Sequence, residues 1–168
     1  SSPRSDAPKF VFVGIPASRK GFDLLAASYD RLLDHYPDSE LHVAGDAAMA
    51  GRLMAVTRGQ IHGKLSHDQL SRLLGQMDCL VLPSRLESFG MVVVEALAAG
   101  LPVIVSDHAG ASEAIRENEN GWIVPAGDES ALFERMMAGC RDIDRVRLMG
   151  PACARSATDH DWPHYSSL

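Results

Sequence analysis

The chain has 168 residues, with 16 lysines and arginines against 22 aspartates and glutamates, so its net charge is −6 when the histidines are counted as neutral. This length predicts one compact domain, and the acidic balance is not typical of a domain that binds nucleic acid. No apolar run approaches the roughly 20 residues of a membrane-spanning helix. The first residues, SSPRSDAPKF, also lack the apolar core of a signal peptide.

Three cysteines are spread along the chain without a CxxC pair: Cys79, Cys140 and Cys153. Their number and spacing favour neither a disulfide framework nor a structural zinc site, and are typical of a reduced, cytoplasmic protein. Cys79 lies in the apolar run CLVLP, where we expect it to pack as a small buried hydrophobic residue.

The first half of the chain alternates short apolar runs with segments of helical periodicity. Strands are predicted at residues 10–13, 41–44 and 60–62, each with a glycine directly after it. A helix is predicted after Gly21 until Pro37, and another over residues 47–58. A third helix begins at Ser66, because Ser66 and Gln69 have the spacing of a capping box.

The second half repeats this alternation. Strands are predicted at residues 79–82, 103–105 and 122–124. A strongly apolar helix over 89–99 ends at Gly100, and a short helix over 111–117 precedes the polar turn ENENG. Asp128 is expected to cap a helix that reaches about Met137. The alternating charges of residues 141–147 predict a solvated helix face.

The strands carry continuous rather than alternating apolar residues, which is typical of a parallel sheet covered by helices on both faces. The predicted fold is therefore an α/β, doubly wound, Rossmann-like domain over residues 10–150, between tails at 1–9 and 151–168. Ligands of such sheets bind beyond the carboxyl ends of the strands. The candidate binding loops are consequently GIPASRKG, GKLS, PSRLESFG and SDHAGAS.

Two of these loops carry charged residues suited to a phosphorylated ligand. Arg19 and Lys20 precede a helix start, where cations are disfavoured unless an anion binds, although a solvated basic turn is an equal alternative. The segment is neither a P-loop nor a GxGxxG motif. Glu87 lies in the loop after the fourth strand, and Glu95 follows after seven intervening residues among apolar neighbours. Such a carboxylate could accept hydrogen bonds from the paired hydroxyls of a ribose, or could simply face solvent.

The ordered segments VGIPASRKGFDLL, LHVAGD, IHGKLSHDQL, DCLVLPSRLESFGMVVVEALAAGLPVIVSDHAGASEAI and NGWIVPAGD resemble the C-terminal, donor-binding half of retaining GT-B glycosyltransferases of the group 1, family 4 type. The resemblance covers roughly residues 10–140. The most specific part is the pair of glutamates inside ESFGMVVVEALAAGLPVI, directly before the fifth predicted strand. One Rossmann-like half of a GT-B fold is the architecture that the resemblance implies.

The resemblance also implies roles for individual residues. Glu95 would hold the ribose hydroxyls, and Glu87 would be the catalytic residue contacting the transferred sugar. Lys20 matches the family's diphosphate lysine, and Leu65 lies where the base meets the backbone. The remaining donor-binding residues are Arg19, Ser88 and those with backbone amides at the helix start, Phe89, Gly90 and Met91.

Two departures from the family pattern qualify these roles. Ile15 stands where the family often has an arginine, so the pair of diphosphate cations is incomplete unless Arg19 supplies the second charge. His108, Ala109 and Gly110 replace the more usual glycine pair.

The resemblance implies a UDP or GDP sugar as donor substrate, no further cofactor and a metal-independent reaction. The acceptor-binding N-terminal domain has no counterpart here, so we expect this chain alone to be an inactive half. Peripheral membrane contact through that other half stays open. His160 and His164 have helical metal spacing, but Pro163 between them argues against a zinc site.

The sequence is compatible with three functional classes. The first is a hexosyltransferase that retains configuration when joined to its N-terminal half. The second is a non-catalytic nucleotide- or sugar-binding module, which Ile15 favours slightly. The third is a GT-B relative such as a sugar-nucleotide epimerase or a phosphorylase.

Overall fold

A computed structural model describes residues 7–14, 20–45, 59–85, 91–108 and 110–159, apart from the side chains of Ala111 and Asp159. Within these ranges six parallel strands form one sheet in the order β3-β2-β1-β4-β5-β6. This is the strand order of a doubly wound Rossmann-like sheet, and it confirms the predicted fold class. The order reverses between β1 and β4, which are neighbours although they lie far apart in the chain.

Short, continuous apolar runs make up the strands. Their bounds are β1 (Lys9–Val13), β2 (Glu40–Ala44), β3 (Gln60–Gly63), β4 (Cys79–Leu82), β5 (Val103–Ser106) and β6 (Gly121–Val124). Every residue of β4 and β5 is buried, as expected for central strands covered on both faces. The strand β3 lies at one edge of the sheet, and its first three residues are exposed.

Several helices begin or end at local sequence signals. Their bounds are α1 (Phe22–Leu32), α2 (His67–Gly75), α3 (Met91–Ala98), α4 (Glu129–Arg141), α5 (Ile143–Arg147) and α6 (Gly150–Asp159). The predicted capping box of Ser66 and Gln69 is formed in both directions. Asp128 caps α4 by accepting a hydrogen bond from the amide of Ala131. After α3, Gly100 adopts the predicted left-handed conformation with φ of 79°.

Several predicted boundaries are corrected. Helix α1 ends at Leu32 instead of reaching Pro37, because the amides of residues 34 and 35 bond to carbonyls three residues back and tighten the last turn. The predicted helix at 111–117 is a 3-10 turn, Gly110–Ala114, and α4 continues to Arg141. The predicted helix at 47–58 lies outside the described residues, as does the start of the predicted helix at 89–99.

The segment predicted as a C-terminal tail, 151–168, differs from that expectation over its described part. Residues 151–159 belong to α6, which packs against α3. Cys153 of this helix is fully buried, and its thiol donates to the carbonyl oxygen of Asn120 at 3.6 Å. A helix with one apolar residue in the core belongs to the packed unit. His160 and His164 lie outside the described residues.

The charged run 141–147 is not uniformly solvated as predicted. Arg147 is largely buried and binds the carboxylate of Asp78, with Nε 2.9 Å from Oδ1. Asp78 is itself buried, and its second oxygen accepts the amide of Lys9 at 2.9 Å. The ion pair therefore anchors α5 to the amino ends of β1 and β4.

Candidate functional site

The loops after β1 and β4 meet at the point where the strand order reverses. A Cβ atom at Gly21 would overlap the carbonyl oxygen of Pro83, so only glycine permits this approach of the two backbones. Gly21 also has φ of 72°, in the left-handed region that favours glycine. The carboxyl ends of β1 and β4 consequently border one crevice, the position where doubly wound sheets bind ligands.

Lys20 lies in this crevice. A Cβ atom built on Gly14, the residue after β1, would be 3.8 Å from Lys20 Nζ, so the ammonium group lies over the end of the strand. Within the described part of the chain no carboxylate pairs with this ammonium group. An unpaired cation directly before helix α1 is suited to an anion, because the helix amides add positive potential there.

Glu95 and Met91 lie on α3, on the β4 side of the crevice. Met91 begins the described part of this helix, and its side chain is 48% exposed. Glu95 lies one turn further along and is half-buried among the apolar residues of α3. No described side chain pairs with its carboxylate. A carboxylate in such surroundings is costly without a partner, so it is available to a hydroxyl donor.

Leu65 is the predicted residue furthest from the crevice. It lies between β3 and α2 and packs partly against the core. Because β2 separates β3 from β1 in the sheet, Leu65 borders the same end of the sheet two strands away from Lys20. The other predicted site residues, Arg19, Glu87, Ser88, Phe89 and Gly90, lie outside the described residues, as does Ile15.

One ion pair at this site was not predicted from the sequence. Asp23, in the first turn of α1, accepts two hydrogen bonds from the guanidinium of Arg85, at 2.6 Å and 2.7 Å. These bonds hold the pKa of Asp23 below its ordinary value and raise the pKa of Arg85. The sequence signal for this pair was an acidic residue shortly after β1 and a basic residue shortly after β4. These segments become neighbours only through the strand order of the sheet.

Two further bonds join the loop after β4 to β5 and its loop. Ser106 donates its hydroxyl to the carbonyl oxygen of Ser84 at 2.6 Å. Nδ1 of His108 donates to the carbonyl oxygen of Arg85 at 3.0 Å. His108 was noted in the sequence only as a departure from a family pattern, and in the structure it holds the backbone beside the crevice.

Two cavities among the described residues lie away from this crevice. One of about 250 Å³ is lined by Arg116, Asn120 and residues of α6, at the amino end of β6. Because it lies at the opposite end of the strand from the crevice, we do not assign it to a donor substrate. Among the described residues no three His, Cys, Asp or Glu side chains converge as metal ligands. No described helix combines the length and apolar character needed to span a membrane.

The chain is similar to known proteins both in sequence and in fold. Residues 1–142 match the profile of the family described as "Glycosyl transferases group 1". The chain is 31% identical over 170 residues to a glycogen synthase of Mycobacterium tuberculosis, covering 95% of this chain and 41% of that protein. Thus the chain spans about two fifths of this curated relative.

Two solved structures have a similar fold. The sucrose-phosphate synthase of Thermosynechococcus elongatus matches with a TM-score of 0.78 and 25% identity, over 91% of this chain and 41% of that one. The Anabaena protein HepE, solved in complex with UDP and glucose, matches with a TM-score of 0.76 over 91% of this chain and 44% of that one. At 20% identity HepE shows similarity of fold alone.

Proposed function

The chain belongs to the group 1 glycosyl transferases, and we propose that its crevice binds the nucleoside diphosphate sugar that serves as donor. The observation that carries this proposal is a pair of charges that have no partner among the described residues, the Lys20 ammonium group and the Glu95 carboxylate. A nucleotide sugar offers complementary groups to both, because its diphosphate is anionic and its ribose carries two neighbouring hydroxyl donors.

In this proposal Lys20 binds the diphosphate beside the amide groups at the start of α1, and Glu95 accepts hydrogen bonds from the ribose. When the bond between the sugar and the diphosphate breaks, negative charge grows on the leaving group. A cation and helix amides fixed beforehand around that charge stabilise the transition state without reorganising. Leu65 would contact the base, and Glu87 the transferred sugar, with Arg19, Ser88, Phe89, Gly90 and Met91 as further donor contacts.

The finer assignments belong to the proposal as well. We infer a retaining hexosyltransferase of the family 4 type, of which this chain is the C-terminal, donor-binding half, with no metal ion required. Transfer then needs an acceptor-binding domain, so this half alone would bind the donor without turnover. We place the reaction in the cytoplasm. A non-catalytic module, an epimerase or a phosphorylase is not favoured, since the match is to a family of transferases.

Titration calorimetry with UDP, GDP and ADP tests the donor site directly. We expect one of the three to bind this chain, and Glu95→Ala to weaken its binding by about tenfold or more, because two hydrogen bonds to a charged acceptor are lost. Glu134→Ala is the matched control, since Glu134 is an exposed glutamate of α4. The proposal is wrong if none of the three nucleotides binds at millimolar concentration, or if the two variants bind alike.

A further inference from the structure

We propose that Arg85 and Asp23 are positioning residues of the donor site, and that their ion pair fixes the spacing between the two sides of the crevice. This inference rests on the proposed function, because it concerns how the same site holds a diphosphate. Neither side chain needs to touch the donor. Their role is to hold the loop after β1, with Lys20, at a set distance from the segment that leads into α3.

Arg85 is bonded to two other parts of the fold, through its side chain and through its backbone. Its guanidinium binds the Asp23 carboxylate through two hydrogen bonds, from Nη1 to Oδ1 at 2.6 Å and from Nη2 to Oδ2 at 2.7 Å. Its carbonyl oxygen accepts a bond from His108, which follows β5. Arg85 is therefore joined through its side chain to the first turn of α1 and through its backbone to the loop after β5. A two-bond contact between planar groups fixes orientation as well as distance, which a single ammonium contact does not.

The position of the pair links it to ligand binding. Asp23 lies three residues after Lys20, in the first turn of α1. Arg85 lies six residues before Met91, the first described residue of α3. A diphosphate that contacts both Lys20 and the start of α3 must span the crevice between them. Groups misplaced by about 1 Å lose much of their effect, so the ion pair would act mainly on diphosphate affinity.

A purely electrostatic role makes the opposite prediction for Asp23. If the pair only neutralised a carboxylate near the anion, Asp23→Asn would leave Arg85 as an added positive charge and would tighten binding. Arg85→Lys would keep the charge and bind like the unchanged chain. If the pair positions the loops, both substitutions weaken binding, because each one removes the two-bond contact.

The experiment measures calorimetric affinity for whichever of UDP, GDP and ADP binds best, and for the corresponding nucleoside. We expect Asp23→Asn and Arg85→Lys each to weaken diphosphate binding by about tenfold while nucleoside affinity changes little. The double variant should bind no worse than either single variant, since the contact is already lost. Melting temperatures should stay close to that of the unchanged chain, because a part-exposed ion pair contributes little to stability.

Glu129→Gln is the matched control, because Glu129 forms a part-exposed pair with Arg31 at 3.8 Å, between α1 and α4. Equal affinities of Asp23→Asn, Arg85→Lys and Glu129→Gln would overturn the inference while the donor site stands, provided that Glu95→Ala still weakens binding. Tighter binding by Asp23→Asn, or a parallel loss of nucleoside affinity, would also overturn it. Absence of nucleotide binding by the unchanged chain would overturn both proposals.

Discussion

At the scale of single residues, the contact between Gly21 and Pro83 sets how closely the two crevice loops approach. We expect Gly21→Ala to lower the free energy of unfolding by more than about 2 kcal/mol, because a Cβ atom there meets backbone and the φ of 72° disfavours alanine. Urea unfolding followed by circular dichroism measures this change.

Gly139→Ala is the matched control. Gly139 lies within α4, and a Cβ atom there would meet no heavy atom within 4 Å beyond its chain neighbours and the backbone of its own helix. Alanine favours the helix over glycine, so this variant should gain about 0.5–1 kcal/mol. If both substitutions changed stability in the same direction, the close approach at Gly21 would not be what constrains that position.

At the scale of elements, helix α5 is attached to the sheet by the ion pair between Arg147 and Asp78. We expect Arg147→Ala to lower the free energy of unfolding by about 3 kcal/mol, because the 3% exposed carboxylate of Asp78 loses its cation. Denaturant unfolding tests this value. Arg145→Ala, at an exposed position of the same helix, should change stability by less than about 0.5 kcal/mol.

A second prediction concerns the contact between β2 and the edge strand β3. Nε2 of His42 donates to the carboxylate of Glu40 at 3.0 Å. Nδ1 of His42 lies 2.8 Å from Nε2 of His62, and a neutral His42 ring with its proton on Nε2 accepts a hydrogen bond there. Burial lowers the pKa of His42 below 6.5, against the opposing effect of Glu40, while the nearby charges of His62 and Lys9 lower it further.

Because the unfolded chain then binds this proton more readily than the folded one, the free energy of unfolding should fall as the pH drops below about 6.5. Urea unfolding at pH 7.5 and 5.5 checks this dependence, which His42→Asn should reduce. The exposed His67 provides the control, since His67→Asn should leave the dependence as it is. A His42→Asn variant with unchanged pH dependence would contradict the argument.

At the scale of the whole molecule, the three thiols report on global unfolding. Cys79, Cys140 and Cys153 are all buried and free of disulfides. Burial raises the pKa of Cys140 and of Cys153 to about 12, so neither is a thiolate near neutral pH. We expect a thiol reagent such as Ellman's reagent to label the native chain no faster than it unfolds. Rapid labelling without denaturant would show instead that a local opening exposes one of them.

The fold could be predicted from the sequence because each sequence signal for a strand or a helix end lies within a few neighbouring residues. Continuous apolar strands, the Ser66 capping box and the left-handed Gly100 each depend on neighbouring residues, and each was confirmed. The end of α1 was misplaced because the apolar spacing continues through Tyr36 after the helix has tightened into a turn. Periodicity does not distinguish a helix from its last tight turn.

The candidate site could be predicted from the sequence only in part. Lys20 and Glu95 were selected from motifs along the chain, and their roles stay predictions. The sheet places β1, which precedes Lys20, beside β4, which precedes the helix of Glu95. The partners Asp23 and Arg85, and likewise Asp78 and Arg147, are separated by more than 60 residues. A single sequence does not state which distant charges meet, so these contacts became visible only with the strand order.

The adjacency of β1 and β4 also has a consequence for folding kinetics. Phe10 pairs with Cys79, 69 positions away, whereas Lys9 pairs with Glu40 at a separation of only 31. Closing the longer loop carries the greater entropic cost, so the central pairing is the slower one to form. On a ribosome, the two sides of the crevice can meet only after β4 and the segment beyond it have emerged.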